Sequence, residues 1–111
     1  MGDVFKALAD PTRRAILDEL TDRNGQTLFE LCARLTTRRG LSSSRQAISQ
    51  HLDVLEAAGL VGTRREGRYK FHYINTGPLE PIVTRWLGTS DDAARGGPDG
   101  GAATEETRGP A

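Results

Sequence analysis

The sequence predicts a mainly α fold with one β-hairpin, in the order α-α-α-α-β-β-α. Three observations predict it. Between residues 3 and 59 apolar residues recur at helical spacing, in segments that open on capping residues. From Leu60 the period shifts from 3.6 toward 2 around a Glu66-Gly67 turn. Beyond Gly88 the apolar pattern stops.

Each element has a local cause. Asp3 is placed to cap a short first helix carrying Val4, Phe5 and Leu8. Asp10-Pro11 restarts the helix, because proline at the first helical position gives up an N–H that has no partner there anyway. Ala15, Ile16, Leu17 and Leu20 form the buried stripe of this second helix, and Asn24-Gly25 stops it. Thr27 followed by Glu30 is a capping box for a third helix whose Leu28, Leu31 and Leu35 face inward. That helix ends at Gly40 at the latest. Ser42 to Ser44 offer the next N-cap, and Ile48, Leu52, Leu55 and Ala58 make the apolar face of a fourth helix up to Gly59. In the hairpin, Val61, Thr63 and Arg65 alternate with Gly62 and Arg64 before the turn; Tyr69, Phe71 and Tyr73 alternate with Lys70, His72 and Ile74 after it. Asn75 to Pro78 breaks the strand, and Leu79, Ile82, Val83 and Trp86 mark a last helix with Pro81 in its first turn. Residues 1–87 therefore read as one domain. Residues 88–111, rich in Gly, Ala and acidic side chains, bury too little surface to offset their ordering entropy and read as a disordered tail.

Bulk properties narrow the function. The chain has 111 residues, only 36% of them hydrophobic, so its core is small and pairing with a second copy would add stability. The formal net charge is zero, but it averages over unlike segments. Residues 1–87 hold 13 Lys/Arg against 10 Asp/Glu, and the remaining residues are net acidic. Between Arg34 and Lys70 eight basic residues face three acidic ones, so the positive charge is local. The single cysteine, Cys32, has no internal disulfide partner, which suits a reducing compartment. No apolar run is long enough to span a bilayer and no secretory signal core is visible. The expectation is a soluble cytoplasmic protein without membrane association.

The chemistry concentrates in residues 44–70. Core positions 48, 52 and 55 turn Arg45, Gln46, Ser49, Gln50 and Asp53 outward on the fourth helix. Arg can bond guanine O6 and N7 at once, and Gln can do the same to adenine N6 and N7. Ser44 and the helix N-terminus suit a phosphate oxygen. Asp53 would repel phosphate and is left out of the contacts. The hairpin tip adds Arg64, Arg65 and Arg68, with Lys70 beyond, cations suited to phosphates or a narrow minor groove. A groove-sized helix followed at once by a basic ribbon is a winged helix-turn-helix, and double-stranded DNA is its expected partner. The segment from Thr36 to Ser43 is longer than the usual turn. Either the third helix continues to Arg38 or Arg39, or those two arginines sit on a loop near the DNA backbone.

Four segments carry a resemblance to the ArsR/SmtB family of bacterial winged-helix repressors: VFKALADPTRRAILDEL (4–20), ELCARL (30–35), SRQAISQHLDVLEAAGLV (44–61) and RREGRYKFHY (64–73). The resemblance implies a homodimer built from the first and last helices, here Val4, Phe5, Leu8, Leu79, Ile82, Val83 and Trp86. It further implies a palindromic operator and derepression by an effector. The family's thiolate metal site needs two cysteines on the third helix, whereas Cys32 is followed by Ala33 and Arg34. Its zinc site needs Asp and His on the last helix, where only Glu80 stands. No metal and no cofactor is therefore expected, and the inducer is unidentified. His51 and His72 read as structural, and Cys32 remains a candidate redox trigger. Alternatives are an activator, or a winged helix used for protein contacts. An enzyme is disfavoured: Ser42 to Ser44 are better explained as caps, with only distant His51 and His72 as bases.

Overall fold

The computed structural model describes residues 3–87; the expected tail, residues 88–111, lies outside the described residues. Helices α1 (Val4–Ala9), α2 (Pro11–Asp22), α3 (Leu28–Arg39) and α4 (Arg45–Ala57) precede strands β1 (Val61–Glu66) and β2 (Tyr69–Ile74). A 3-10 turn, Gly77–Leu79, then leads to α5 (Glu80–Leu87). The order matches the sequence reading, and the architecture is a winged helix-turn-helix. The chain divides after Pro78 into two units.

In the first unit the expected caps are in place. The Asp3 side chain accepts from Phe5 N at 2.9 Å, and the Asp10 side chain from Arg13 N at 3.1 Å. Thr27 and Glu30 close a reciprocal capping box. α3 runs on to Arg39 and ends at Gly40, whose φ of 66° is a left-handed conformation that favours glycine. The turn between α3 and α4 is therefore residues 40–43. Of the two placements open for Arg38 and Arg39, the helical one holds.

The core is Ile16, Leu20, Leu31, Leu35, Ile48, Leu52, Leu55 and Leu60, with small residues such as Ala7 and Ala15 where helices approach closely. Leu28, expected to face inward, is only half-buried because it opens α3 at the edge of the core.

The two strands pair antiparallel from Val61 with Ile74 to Glu66 with Tyr69. Beyond Val61, β1 is exposed throughout, so the hairpin projects as a wing. A third, one-residue bridge joins Gln26 to His72 through both backbone groups, at 3.1 and 2.7 Å. Gly25 makes that bridge possible. Its φ is 75°, and a Cβ there would meet the Tyr73 ring at 2.8 Å. Any other residue at 25 would be strained twice.

The second unit contains α5, with Pro81 in its first turn. None of the α5 residues is buried; Val83, Trp86 and Leu87 are exposed, and the Arg85 guanidinium lies 4.9 Å from the centre of the Trp86 ring.

Candidate nucleic-acid interface

The position of α4 is set from both ends. At its N-terminus the Ser44 hydroxyl accepts from Ala47 N at 3.0 Å. This uses an oxygen lone pair and leaves the hydroxyl proton available. Further along, His51 Nδ1 accepts from Arg13 Nη1 at 3.1 Å and lies 3.9 Å from the Asp10 carboxylate. The same arginine donates to the Ala7 and Lys6 carbonyls, closing the C-terminal end of α1. One side chain thus ties α1, α2 and α4 together. Burial would raise the Asp10 carboxyl, but the Arg13 backbone hydrogen bond and the positive charge of Arg13 hold it below its ordinary value.

With Ile48, Leu52 and Leu55 buried, Arg45, Gln46 and Gln50 are fully outward and Ser49 is half-buried. Neither glutamine has a hydrogen-bond partner among the described residues. The Arg45 guanidinium lies 5.9 Å from the centre of the Phe29 ring on α3, close enough for a cation–π contact.

The wing cations divide into two kinds. Arg64 lies 3.8 Å from Glu66 and over the Tyr73 ring, and Lys70 lies 3.9 Å from Glu56 on α4. Arg65 and Arg68 are exposed and have no ion-pair partner among the described residues. Arg68 also stands at the hairpin apex, beside Gly67. Ser49 of α4 and Arg68 and Lys70 of the wing border the same cavity, so helix and wing lie side by side.

Three of the eight basic residues counted between Arg34 and Lys70 lie elsewhere. Arg34, Arg38 and Arg39 each place Nε on the Glu19 carboxylate, at 2.9, 3.2 and 2.6 Å. Arg38 and Arg39 also reach Asp22, at 3.0 and 3.7 Å. The local positive charge is therefore smaller at the wing and α4 than along the sequence, because helical spacing turns these arginines toward α2. Glu19 is fully buried, and burial alone would raise its carboxyl. The three guanidinium hydrogen bonds outweigh that and hold it below its ordinary value.

Glu19 and Gln26 were not singled out by their sequence patterns. The signal for Glu19 was present, since it falls on the Ile16–Leu20 stripe where an acid needs a partner. Gln26 gave none. Its Nε2 donates to the Glu19 and Arg23 carbonyls at the end of α2, and its Oε1 is buried without a partner among the described residues.

Cys32 is half-buried on α3. Burial pushes its thiol up against the opposing pull of Arg45, so little thiolate is present near neutral pH. Among the described residues no three His, Cys, Asp or Glu side chains gather as a metal site, and no helix is long and apolar enough to cross a membrane.

Residues 8–64 match the helix-turn-helix domain family. The chain is 52% identical over 84 residues to the uncharacterised HTH-type transcriptional regulator YuzN of Bacillus subtilis, covering 76% of this chain and 91% of that protein. It is 32% identical over 91 residues to the arsenical resistance operon repressor of Escherichia coli, covering 82% of this chain and 68% of that one. Among solved structures, an ArsR-like transcriptional regulator from Rhodococcus sp. RHA1 superimposes with a TM-score of 0.65 at 35% identity, over 83% of this chain and 78% of the other. The chain belongs to the ArsR family. As an ArsR-family protein it is a DNA-binding transcriptional regulator, a non-enzymatic class. The family's helix-turn-helix here is α3, residues 40–43 and α4, with β1 and β2 as its wing.

Proposed function

We propose that this regulator is a homodimeric cytoplasmic repressor. It places two copies of α4 in successive major grooves of a palindromic operator, about 34 Å apart. The single observation that carries the reading is the outward face of α4, where Gln46 and Gln50 are exposed and make no internal hydrogen bond. Polar side chains held on a rigid helix and left without partners are suited to base edges. Arg45 joins them from its seat on Phe29, and Ser49 borders them. Ser44 offers its hydroxyl proton to a phosphate oxygen.

In the wing, Arg65 and Arg68 are the cations free to meet phosphates, with Arg68 at the apex suited to the minor groove. Arg64 and Lys70 would first have to leave Glu66 and Glu56. The dimer frame is α1 and α5. Val4 and Leu8 are half-buried and Phe5 is exposed on α1; Leu79 and Ile82 are half-buried, and Val83 and Trp86 exposed, at α5. The raised Cys32 thiol disfavours a redox trigger, so the releasing signal is sought elsewhere.

Footprinting on the DNA upstream of its own coding region tests the whole reading; a protected palindrome is expected. Gln46→Ala should then relax base preference at one operator position by about 1–3 kcal/mol in anisotropy titrations. An unchanged preference removes that contact. Arg65→Ala should weaken binding to all sequences alike and lower the slope of log affinity against log salt by about one phosphate contact. Loss confined to one base pair would mean that Arg65 reads sequence instead of positioning the protein. Binding to duplex DNA that ignores salt would favour a protein-contact role for the wing.

A further inference from the structure

Beside the DNA-reading face lies a cavity of about 260 Å³, walled by the first turn of α3, by α4 and by the wing. It is smaller than the roughly 300–1,000 Å³ of sites for drug-sized molecules, so its ligand is small. Leu52, Phe29 and Tyr69 give it apolar walls. An adjoining cleft of about 500 Å³ shares Phe29 and Tyr69 with it and adds Phe71, giving an apolar body room to extend.

The polar groups at the cavity fall into engaged and unengaged ones. Lys70 and Glu56 are paired with each other at 3.9 Å. His72, Asp53 and Arg68 are not satisfied from within the protein. His72 is 4% exposed, and its Nδ1 lies 2.9 Å from the Gln26 carbonyl oxygen. That oxygen only accepts, so Nδ1 carries the hydrogen, and in that tautomer Nε2 is left to accept. Nothing among the described residues donates to Nε2, and His72 is one of the residues that line the cavity. Asp53 and Arg68 likewise have no partner among the described residues. The open set is one ring-nitrogen acceptor, one carboxylate and one guanidinium against apolar walls, with the Ser49 and Tyr69 hydroxyls able to donate or accept beside them. Asp53 and Arg68 are exposed, so a simple cation would engage Asp53 and leave Arg68 to solvent, and a simple anion would do the reverse. A zwitterion meets all three.

We propose that this cavity is an effector site for a small zwitterion with an apolar body, of the α-amino-acid class. Its ammonium is taken by Asp53 and His72, and its carboxylate by Arg68. Because Arg68 and Ser49 belong to the proposed DNA-binding surface, a ligand held there competes with phosphate for Arg68 and weakens operator binding. The coupling to DNA, though not the cavity, rests on the function proposed above.

The test uses the full chain and two readouts. Amide resonances of the DNA-free protein are followed on addition of millimolar L-phenylalanine or L-leucine, with phenethylamine and 3-phenylpropionate as single-charge analogues. Operator affinity is measured in parallel by anisotropy. At least one amino acid should shift resonances around Asp53, Arg68 and His72, and lower operator affinity by about fivefold or more. The single-charge analogues should do neither. Asp53→Asn, which removes a charge that repels phosphate, should bind operator at least as well as the wild type and lose both responses. The proposal is overturned if neither amino acid shifts these resonances, if the analogues act equally, or if Asp53→Asn responds unchanged. Shifts without any change in operator affinity overturn the coupling. A protein that binds the amino acid but no DNA sinks the DNA-binding surface and leaves the cavity standing.

Discussion

Glu19→Ala is expected to lower folding stability by about 3–5 kcal/mol, toward the lower end of that range, read as a fall in the urea midpoint. The magnitude follows from the geometry. A fully buried carboxylate accepts from three guanidinium groups of α3, and removing it leaves Arg34 without an acidic partner and Arg38 and Arg39 with only the more exposed Asp22 to share. Their partial exposure lets water take up part of the loss, which sets the lower end. The same carboxylate gives stability a pH dependence of defined sign. Its folded-state value is depressed, so the stabilisation is complete above the ordinary glutamate range and is lost as pH falls through the depressed value. Glu19→Gln should flatten that acid-side decline while keeping the side-chain shape. A variant with wild-type stability at neutral pH, or with an undiminished acid-side decline, would remove the clamp from the account of the fold. Because α3 carries the turn into α4, operator affinity should fall with the clamp, but only as far as the folded fraction falls.

Val83→Asp is expected to convert a dimer into a monomer and to reduce operator affinity by about 10²–10⁴-fold. The first effect is read by sedimentation and the second by anisotropy. The size is that of losing the effective concentration which one bound α4 confers on its twin. Val83 is exposed on α5, none of whose residues is buried, so an aspartate there replaces no buried side chain. An unchanged melting curve at low protein concentration would show this. Wild-type protein that sediments as a monomer at micromolar concentration would contradict the dimer, and the palindromic operator with it.

How far residues 44–70 could be read from sequence is explained by the locality of the forces involved. Capping depends on side chains within three residues of the backbone groups they satisfy, so Asp3, Asp10, Thr27 and Ser44 identified their own helices. Periodicity fixed which face of α4 is buried, because Ile48, Leu52 and Leu55 leave one rotation of the helix. The wing cations were equally visible, but their availability was not. Arg64 and Lys70 lose part of theirs to Glu66 and Glu56, and the Lys70 pairing joins residues far apart in the chain. His72 shows the opposite case. The sequence read it as structural without naming a partner, and the structure buries it on the Gln26 bridge, 46 residues away along the chain, while leaving Tyr69 exposed.

The sequence by itself determined the element order, the caps, the outward face of α4 and the basic tip, because each follows from neighbours a few residues apart. Only the tertiary structure decided that Arg38 and Arg39 lie on α3 paired with Glu19 and Asp22, and that Arg65 and Arg68 are the unengaged wing cations among the described residues. It alone showed that His72, Asp53 and Arg68 border one cavity beside the reading helix. Those outcomes depend on which charges and hydrogen-bonding groups meet across the packed helices and the wing. Coulomb attraction and desolvation act through space, and spacing along the chain does not encode them.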